Sequence, residues 1–278
     1  MTEQISSDTI KQFQLKIWRW YEENKREALP WRRTHDAYQI WVSEVMLQQT
    51  QVERVIPKFE RFVAQYPSFF HLSQASNRDL LLLWSGLGYN NRALRLKKAA
   101  QVVVDCFEGE MPEQLEDLLA LPGIGEYTAR AIQIFAFEMD VATVDTNIRR
   151  ILIHELGLDE KISLKELFDV AHQVFPKGKS REWHYALMDY GAVYLTSRRS
   201  KIASTSKQSS FLHSRRWYRG RILKRLLETN QSLLLQSLVD DYQREEQFLY
   251  SVIEEMKRDG LVELVGEGRD VHVTMAGE

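Results

Sequence analysis

Apolar residues recur at helical spacing along most of the chain. One segment places them at i, i+3, i+4, i+7 and i+8, in the residues Tyr38, Trp41, Val42, Val45 and Met46. This spacing predicts one apolar stripe of an amphipathic helix, with Glu44 well off its centre. No convincing alternation of apolar and polar residues precedes residue 260. Helical patterns joined by short connections therefore predict a mainly α-helical domain.

Capping residues set the limits of the helix that carries Glu44. Thr50 followed by Glu53 predicts a capping box, in which two side chains bond to the first backbone N–H groups of a second helix. The helix before it must then end near Gln48 or Gln49.

The pattern changes after residue 214. Helices over about 217–228, 233–241 and 245–259 lead to LVELV, a GEG turn and DVHVT, which predict a short hairpin. Three helices followed by such a hairpin resemble a winged-helix domain. We therefore expect two domains, 1–214 and 215–278.

Length and composition exclude several classes of protein. The 278 residues, 44% of them apolar, suffice to bury a core, which excludes a disordered or fibrous chain. The single cysteine, Cys106, cannot form an internal disulfide or a thiolate metal site, and we expect it to be a buried small hydrophobe. The apolar stretches are too short to cross a bilayer and the first residues show no targeting pattern, so we expect a cytoplasmic protein without a membrane partner.

The net charge of −2 hides an asymmetry. Residues 197–225 contain ten Lys or Arg and no acid, whereas residues 226–278 contain twelve acids and four basic residues. A basic, Ser-rich segment with Trp217 and Tyr218 among arginines suits a phosphate backbone, which makes Arg198, Arg199 and Arg219 candidate DNA contacts. The alternative is a solvated linker.

The sharpest local motif is LPGIGEYTARAI, residues 121–132. Gly123 and Gly125 permit positive φ and let backbone N–H groups approach a phosphate at the start of the following helix. An ordinary helix-to-helix turn is the alternative for this motif alone. Together with a preceding helix over 112–120, it resembles the helix-hairpin-helix of DNA-binding proteins. That resemblance implies a monovalent cation on the backbone carbonyls of Leu119, Leu121 and Ile124.

About twenty residues further on, VATVDTNIRRIL places Asp145 before a helical apolar pattern. Taken alone, Asp145 is most simply an N-cap. A helix-hairpin-helix followed at this distance by Val-Asp resembles the helix-hairpin-helix superfamily of DNA glycosylases. The resemblance implies a fold of two helical lobes and an essential aspartate at position 145.

Three longer stretches, residues 29–59, 83–100 and 121–132, closely resemble adenine DNA glycosylases of the MutY type, which remove adenine mispaired with 8-oxoguanine. The similarity runs from Leu29 to Phe211. The resemblance implies that Glu44 protonates the adenine ring. It also implies that Asp145, helped by Asn147 and Tyr127, stabilises the positive charge that develops on the sugar.

The same resemblance assigns residues to the DNA interface. Gln49 and Tyr89 would enter the base stack around the lesion, and Trp31 and Arg32 would belong to the pocket wall. Gln48 and Thr50, from the specific motif SEVMLQQTQV, are also assigned to DNA binding.

The chemistry of an N-glycosidic bond agrees with these residue types. The leaving base must be protonated and the oxocarbenium-like sugar must be countered by negative charge, so two carboxylates with different pKa values are needed. Tyr127 stands where bifunctional relatives carry the lysine that forms a Schiff base. We therefore expect a monofunctional enzyme that does not cleave the strand.

The chain departs from the family at three places. In the loop over 195–211, the four cysteine ligands of the family's iron–sulfur cluster correspond to Leu195, Ile202, Thr205 and Phe211. We expect apolar packing instead of a cluster, and no other cofactor. Tyr185 stands where most adenine glycosylases carry a Gln or Glu that bonds the flipped adenine, which puts adenine specificity in doubt. The winged-helix segment stands where the family usually has a Nudix-like domain.

The predicted third helix of the winged-helix domain is acidic. Its acids are Glu245, Glu246, Glu254, Glu255 and Asp259. Phosphates repel such a helix, so we expect the tail to pack against the glycosylase lobes or a protein partner rather than to read DNA sequence.

The combined prediction is a monomeric, bacterial-type, nucleoid-associated enzyme of base excision repair. It would flip a mispaired base out of double-stranded DNA and excise it, with adenine opposite 8-oxoguanine or G as the expected substrate. One alternative is a mismatch thymine or uracil glycosylase, which would need Asp145 but not proton donation by Glu44. The other is a DNA-binding regulator without catalysis.

Overall fold

The computed structural model describes residues 4–202 and 210–277. These residues form a mainly α-helical protein, as the periodicity predicts. The helices are α1 (Ser7–Asn24), α2 (Ala37–Leu47), α3 (Val52–Gln65), α4 (Phe69–Ser73), α5 (Asn77–Trp84), α6 (Asn91–Cys106), α7 (Leu115–Ala120), α8 (Glu126–Phe135), α9 (Thr146–Leu156), α10 (Leu164–Val174), α11 (Ser180–Asp189), α12 (Ser197–Ser200), α13 (Arg215–Thr229), α14 (Leu235–Tyr242) and α15 (Glu246–Arg258).

The backbone contacts divide the chain into two compact units. Unit 1 comprises the described residues within 1–44 and 111–207, and unit 2 those within 45–110 and 208–278. Each unit is thus built from two separate stretches of sequence. The division into domains 1–214 and 215–278 stays a prediction.

The core of unit 1 is formed by α1 and by α8 to α11. Ile17, Phe135, Ile151 and Trp183 are among its fully enclosed side chains. Because five helices contribute apolar faces to one cluster, the polar side chains that enter it must find hydrogen-bond partners inside the protein. The residues of the functional site are among them.

The helix α2 is buried on all sides rather than along one stripe. Ile40, Trp41 and Val42 are enclosed, but so are Ser43, at 1% exposure, and Glu44, at 7%. The prediction of a single apolar stripe is therefore wrong, because Glu44, well off the centre of that stripe, is buried as well. A helix packed all round hides its polar positions too, which places a carboxyl group out of contact with water.

The limits of the helices follow the sequence at some caps and not at others. Asp145 is the N-cap of α9, as predicted, and its side chain accepts a hydrogen bond from the backbone N–H of Ile148. The predicted capping box is wrong, because α3 begins at Val52 with Gln51 as an N-cap that makes no side-chain bond. The Thr50 hydroxyl donates instead to the carbonyl of Gln48 at 3.2 Å.

The predicted hairpin is present between α7 and α8. Gly123 has a φ of 81°, a backbone conformation that favours glycine. Gly125, the N-cap of α8, is extended with a φ of −99°, so only Gly123 needs positive φ.

The tail consists of α13 to α15 and a small antiparallel sheet. The strands are β1 (Leu233–Leu234), β2 (Val262–Val265) and β3 (His272–Met275), in the order β1-β3-β2. The three helices and the hairpin agree with the sequence pattern, whereas β1 is too short for an alternating pattern to reveal.

Within unit 2 the tail packs against the stretch 45–110, as the sequence predicts. The guanidinium of Arg78 donates to the carbonyls of Leu226 and Leu227, and the amide of Asn77 donates to the carbonyl of Ala276 at 3.1 Å.

Two further findings concern single features. Cys106 is exposed at the end of α6, so the prediction that it is buried is wrong. Among the described helices, none combines the length and the apolar character that a membrane span requires.

Candidate active site

Glu44 and Tyr127 form a buried hydrogen bond in unit 1. Glu44 lies near the end of α2, and Tyr127 lies in the first turn of α8, directly after the hairpin. The Tyr127 hydroxyl donates to Oε2 of Glu44 at 3.1 Å. The hairpin therefore places the phenol of Tyr127 beside the carboxyl group of Glu44, to which the family resemblance assigns proton donation.

The environment of Glu44 brings its pKa into the neutral range. Burial raises the pKa of the carboxyl group to about 7, and the nearby charge of Asp145 also raises it. The Tyr127 hydroxyl and the Arg32 guanidinium act in the opposite direction and only partly offset burial. A carboxyl group with such a pKa is protonated in a large fraction of molecules at neutral pH, as a general acid must be.

Asp145 is held in place by hydrogen bonds at the N-terminus of α9. Its carboxylate accepts the backbone N–H of Ile148 at 2.6 Å and the side-chain amide of Asn147 at 3.0 Å. Burial is the largest influence and leaves the pKa of Asp145 above its usual value, while these donors and the Arg150 guanidinium limit the rise. The donors stabilise the ionised form, which suits a group that counters positive charge.

A buried arginine that the sequence analysis did not identify fixes the orientation of Asn147. The Arg150 guanidinium donates to Oδ1 of Asn147 at 2.7 Å, to the carbonyl of Gly191 at 2.8 Å and to the carbonyl of Leu195 at 2.7 Å. Because Oδ1 faces Arg150, the NH₂ group of Asn147 must face Asp145. The only signal in the sequence is the spacing of three residues between Asn147 and Arg150 on one helix.

Gly191 allows the backbone to approach Asn147 closely. It lies in a π-helical turn, Tyr190–Tyr194, directly after α11. A Cβ atom at this position would lie 2.9 Å from Cβ of Asn147 and 3.1 Å from Cδ1 of Ile151. Only glycine brings this carbonyl to Arg150 without displacing the Asn147 side chain.

Arg32 and Tyr185 stack on each other in unit 1. The Arg32 guanidinium lies 4.4 Å from the centroid of the Tyr185 ring, and the Phe135 ring is stacked on the Tyr185 ring at 4.5 Å. Burial raises the pKa of Tyr185 to about 12, so the phenol is neutral. Arg32 is itself held by Asp189, whose fully buried carboxylate accepts two bonds of 2.6 and 2.8 Å from the guanidinium.

Two further residues, Trp31 and His184, are buried next to Arg32 and Tyr185 in the sequence. Trp31, the residue next to Arg32, is buried at 4% exposure. His184 is buried beside Tyr185, and its Nε2 accepts the backbone N–H of Thr143 at 3.2 Å. Because burial lowers the pKa of His184 to about 4, the ring is neutral, and its bond to Thr143 supports the backbone segment that leads to Asp145.

The predicted base-stack residues lie in unit 2. Gln49 and Tyr89 are both exposed and both have positive φ, at 56° and 45°. Such conformations are uncommon for residues other than glycine and tend to occur at functional sites. Gln48 and Thr50 are half-buried beside Gln49.

A second unpredicted arginine joins the two loops of these residues. The buried Arg92 guanidinium donates to the carbonyls of Val45 and Gln48 at 2.6 and 2.8 Å, and to those of Leu87 and Gly88 at 3.1 Å each. Burial lowers its pKa to about 10. One side chain thus holds the end of α2, the turn that follows it and the loop before α6.

The remaining predicted DNA contacts lie at the surface. Arg198 and Arg199 are exposed on α12, and the Arg199 guanidinium lies 3.8 Å from the Tyr194 ring. Arg219, in unit 2, pairs with Asp259 and with Glu255 at 3.6 Å. These contacts with DNA stay predictions.

The hairpin carbonyls fit a cation in part. The carbonyl of Leu121 accepts the N–H of Ile124 at 3.2 Å, which leaves it a second lone pair for a ligand. The cation site formed with Leu119 stays a prediction.

Two of the four positions aligned with the family's cluster ligands are packed by apolar side chains, which the expectation of apolar packing requires, and a third is not. Leu195 and Ile202, at 1% and 6% exposure, belong to the core of unit 1. Phe211 is 60% exposed in unit 2, and Thr205 lies outside the described residues. Among the described residues, no three His, Cys, Asp or Glu side chains group as metal ligands.

Comparison with known sequences identifies a family of DNA repair proteins. A family model described as HhH-GPD superfamily base excision DNA repair protein matches residues 42–177. The adenine DNA glycosylase of Buchnera aphidicola (subsp. Acyrthosiphon pisum) is 36% identical over 194 residues, which are 68% of this chain and 55% of that protein. That of Mycolicibacterium smegmatis is 39% identical over 182 residues, which are 64% of this chain and 62% of that protein.

Solved structures match over a similar share of the chain. A thermostable thymine-DNA glycosylase has a TM-score of 0.64 and 29% identity, and the match covers 69% of this chain and 90% of that one. An endonuclease III in a non-covalent DNA complex has a TM-score of 0.63 at 19% identity, which shows the fold alone, and the match covers 80% of this chain and 99% of that one. The match spans little more than half of the first curated relative. The chain belongs to the HhH-GPD superfamily of base excision DNA repair proteins.

Proposed function

We propose that the protein is a monofunctional DNA glycosylase that excises adenine mispaired with 8-oxoguanine or G. The observation that carries the proposal is the burial of Glu44, which raises the pKa of its carboxyl group to about 7. The nearby charge of Asp145 contributes to this rise. One carboxyl group is thereby suited to donate a proton, and the other is stabilised as an anion by its N-cap bonds.

The proposed reaction begins with proton transfer from Glu44 to a ring nitrogen of the flipped adenine. The bond between C1′ and the base then breaks, and its electron pair leaves with the base. The Asp145 carboxylate stabilises the positive charge on C1′ and the ring oxygen. Water adds to C1′, and the proton that it releases restores the Glu44 carboxyl group, so the products are free adenine and an abasic sugar.

Tyr127 acts in this scheme through Glu44. Its hydroxyl donates to Oε2 and thereby leaves the other oxygen, Oε1, to carry the transferable proton. Because position 127 is a phenol rather than an amine, no Schiff base with the sugar forms. The abasic strand therefore stays intact.

The similarity to adenine DNA glycosylases supports adenine as the base, whereas Tyr185 is not the Gln or Glu that the family resemblance implies at this position. The ring of Tyr185 contacts Arg32 and Phe135, and its neutral phenol offers one donor and one acceptor rather than an amide edge. We propose that adenine is selected chiefly by its need for protonation at Glu44.

The remaining features of the proposal concern the setting. The phosphates of double-stranded DNA would be contacted by Arg198, Arg199, Arg219 and the hairpin at Gly123 and Gly125. The tail would be a winged-helix domain. We propose a cytoplasmic, nucleoid-associated monomer that has no iron–sulfur cluster or other cofactor, with a protein partner for the tail.

One assay tests the function. Duplexes with A, G, T or U opposite G, 8-oxoguanine or C are incubated with the protein, and abasic sites are then cleaved with alkali. We expect cleavage only after alkali and only at adenine. Release of T or U would favour the pyrimidine glycosylase, and binding without release of any base would favour the regulator.

A further inference from the structure

A cleft of about 660 Å³ opens within unit 2. Its two sides are the loop over residues 85–91 and the helix α13, and the buried residues Leu81, Leu87 and Leu223 give it an apolar floor. Small-molecule sites have volumes of roughly 300 to 1,000 Å³, so one nucleotide fits.

Aromatic side chains line both sides of the cleft. Tyr89 is 38% exposed on the loop, and its hydroxyl accepts a hydrogen bond of 2.9 Å from Arg216 on α13. Trp217 lies on the helix side, with the Arg221 guanidinium 4.5 Å from its ring centroid. The bond between Tyr89 and Arg216 joins the two sides, and the rings offer flat surfaces on which a base stacks.

The cleft is positively charged. Five cations line it, namely Arg215, Arg216, Arg219, Arg221 and Lys224, against the two acids Glu255 and Asp259. Those acids pair with Arg215, at 2.8 Å to Glu255, and with Arg219. The cations outnumber the acids by three, which suits a phosphate-bearing ligand.

Gly220 leaves the helix side of the cleft open. It lies in the interior of α13, where glycine costs roughly 1 kcal/mol relative to alanine. A Cβ atom there would meet nothing within 4 Å, so close packing does not explain the glycine. Arg216 and Lys224 lie one turn before and one turn after it, so cations flank a stretch of bare backbone that a ligand can approach.

We propose that this cleft binds one unstacked nucleotide of duplex DNA, with the base against Tyr89 and Trp217 and the phosphate at Arg221. Cations spread over more than two turns of α13 suit a continuous strand better than a single free nucleotide. The inference deepens the proposed function, because it rests on DNA being the substrate.

The test measures binding rather than excision, by fluorescence anisotropy with the full-length protein. Two duplexes are compared, one correctly paired and one of the same sequence that carries an extrahelical adenosine. The decisive variant is Gly220→Phe, which fills the open space of the cleft. We expect wild type to prefer the bulged duplex by about tenfold and Gly220→Phe to lose most of that preference. Gly220→Ala, whose methyl group is small and favours the helix, should keep it.

A matched pair of charge variants tests the phosphate contact. Arg221→Gln and Arg225→Gln remove one charge each from α13, but Arg225 pairs with Asp241 and does not line the cleft. We expect Arg221→Gln to weaken binding of the bulged duplex about fivefold and to lower the slope of log affinity against log salt by about 1, and Arg225→Gln to do neither.

Three outcomes would overturn the proposal. The first is equal weakening of binding by Arg221→Gln and Arg225→Gln. The second is a Gly220→Phe protein that has the melting temperature of wild type and still prefers the bulged duplex to the same degree. The third is displacement of labelled bulged DNA by millimolar dAMP, which indicates a free-nucleotide site. None of these outcomes depends on base release, so absence of adenine excision would count against the proposed function alone.

Discussion

The Tyr127 hydroxyl donates a hydrogen bond to the carboxyl group of Glu44, the group whose pKa burial raises to about 7. The bond opposes burial, because a donor stabilises the ionised carboxylate. Since burial raises the pKa of Tyr127 well above its usual value, the phenol keeps its proton and stays a donor throughout the neutral pH range. Burial and the hydrogen bond from Tyr127 thus act in opposite directions on the pKa of Glu44 and leave it at about 7.

The substitution Glu44→Gln should abolish adenine release while duplex binding persists. The amide keeps the shape of the carboxyl group but has no transferable proton, so we expect the single-turnover rate constant to fall by about 10²-fold to 10⁴-fold. Glu53→Gln, an exposed substitution, is the control. Full excision by Glu44→Gln would contradict the role of this residue as the acid.

Asp145→Asn should also abolish release, by a different cause. The amide cannot counter the charge on the sugar, and the expected loss is about 10²-fold to 10³-fold. Single-turnover rates with a mispaired duplex measure it. If Asp145→Asn is inactive while Glu44→Gln is active, the pyrimidine glycosylase is the better assignment.

The rate of excision should fall as the pH rises through about 7. Only protonated Glu44 donates, so above its pKa the single-turnover rate constant should drop about tenfold per pH unit. Tyr127→Phe removes a donor that lowers this pKa and should move the midpoint to higher pH. Tyr250→Phe, at an exposed tyrosine, should leave the profile unchanged.

Glu44→Gln should stabilise the fold, and more so in alkali. In the unfolded chain Glu44 ionises near pH 4.5, whereas in the folded protein it stays protonated up to about 7. Below pH 4.5 both states bind the proton, and between these values only the folded state does, so the free energy of unfolding of wild type falls as the pH rises. At about 1.4 kcal/mol per pKa unit, the loss amounts to about 3 kcal/mol by pH 8.5. Urea unfolding of both proteins at pH 5 and 8.5 measures it, and a gain that is equal at both pH values would contradict the buried acid.

Gly191→Ala should impair catalysis by displacing Asn147. The new methyl group would lie 2.9 Å from Cβ of Asn147, so that side chain must shift, and we expect an excision rate about tenfold lower. Adding Ile151→Val removes the other close atom, Cδ1, and should recover stability but not rate. Recovery of the rate in the double variant would show that the Asn147 contact is unimportant.

The protein should fold without iron and show no absorbance band near 400 nm. Leu195 is packed in the core of unit 1, where a cysteine ligand would stand in the resembling family. Leu195→Ala should then lower the free energy of unfolding by about 2 to 5 kcal/mol, as for other enclosed leucines. Stoichiometric iron in protein prepared without oxygen would contradict the prediction.

Local features of this fold could be predicted, and buried charges could not. The N-cap at Asp145 and the hairpin at Gly123 depend on a few adjacent residues, so the sequence reveals them. The enclosure of Glu44 depends on what surrounds α2, which periodicity along one helix does not describe. Arg92 bonds to the carbonyl of Val45, 47 residues away, and no pattern within one element indicates such a partner.

Arg150 contacts the loop after α11 through main-chain oxygens, those of Gly191 and Leu195. Every amino acid supplies the same carbonyl group, so the identity of the side chain at position 195 does not enter this bond. The residue there is free to change as long as it fills its place in the core and keeps the backbone where it is. Asp145 and the amide of Asn147 are thereby insulated from changes of the side chain at position 195, although not from changes at Gly191.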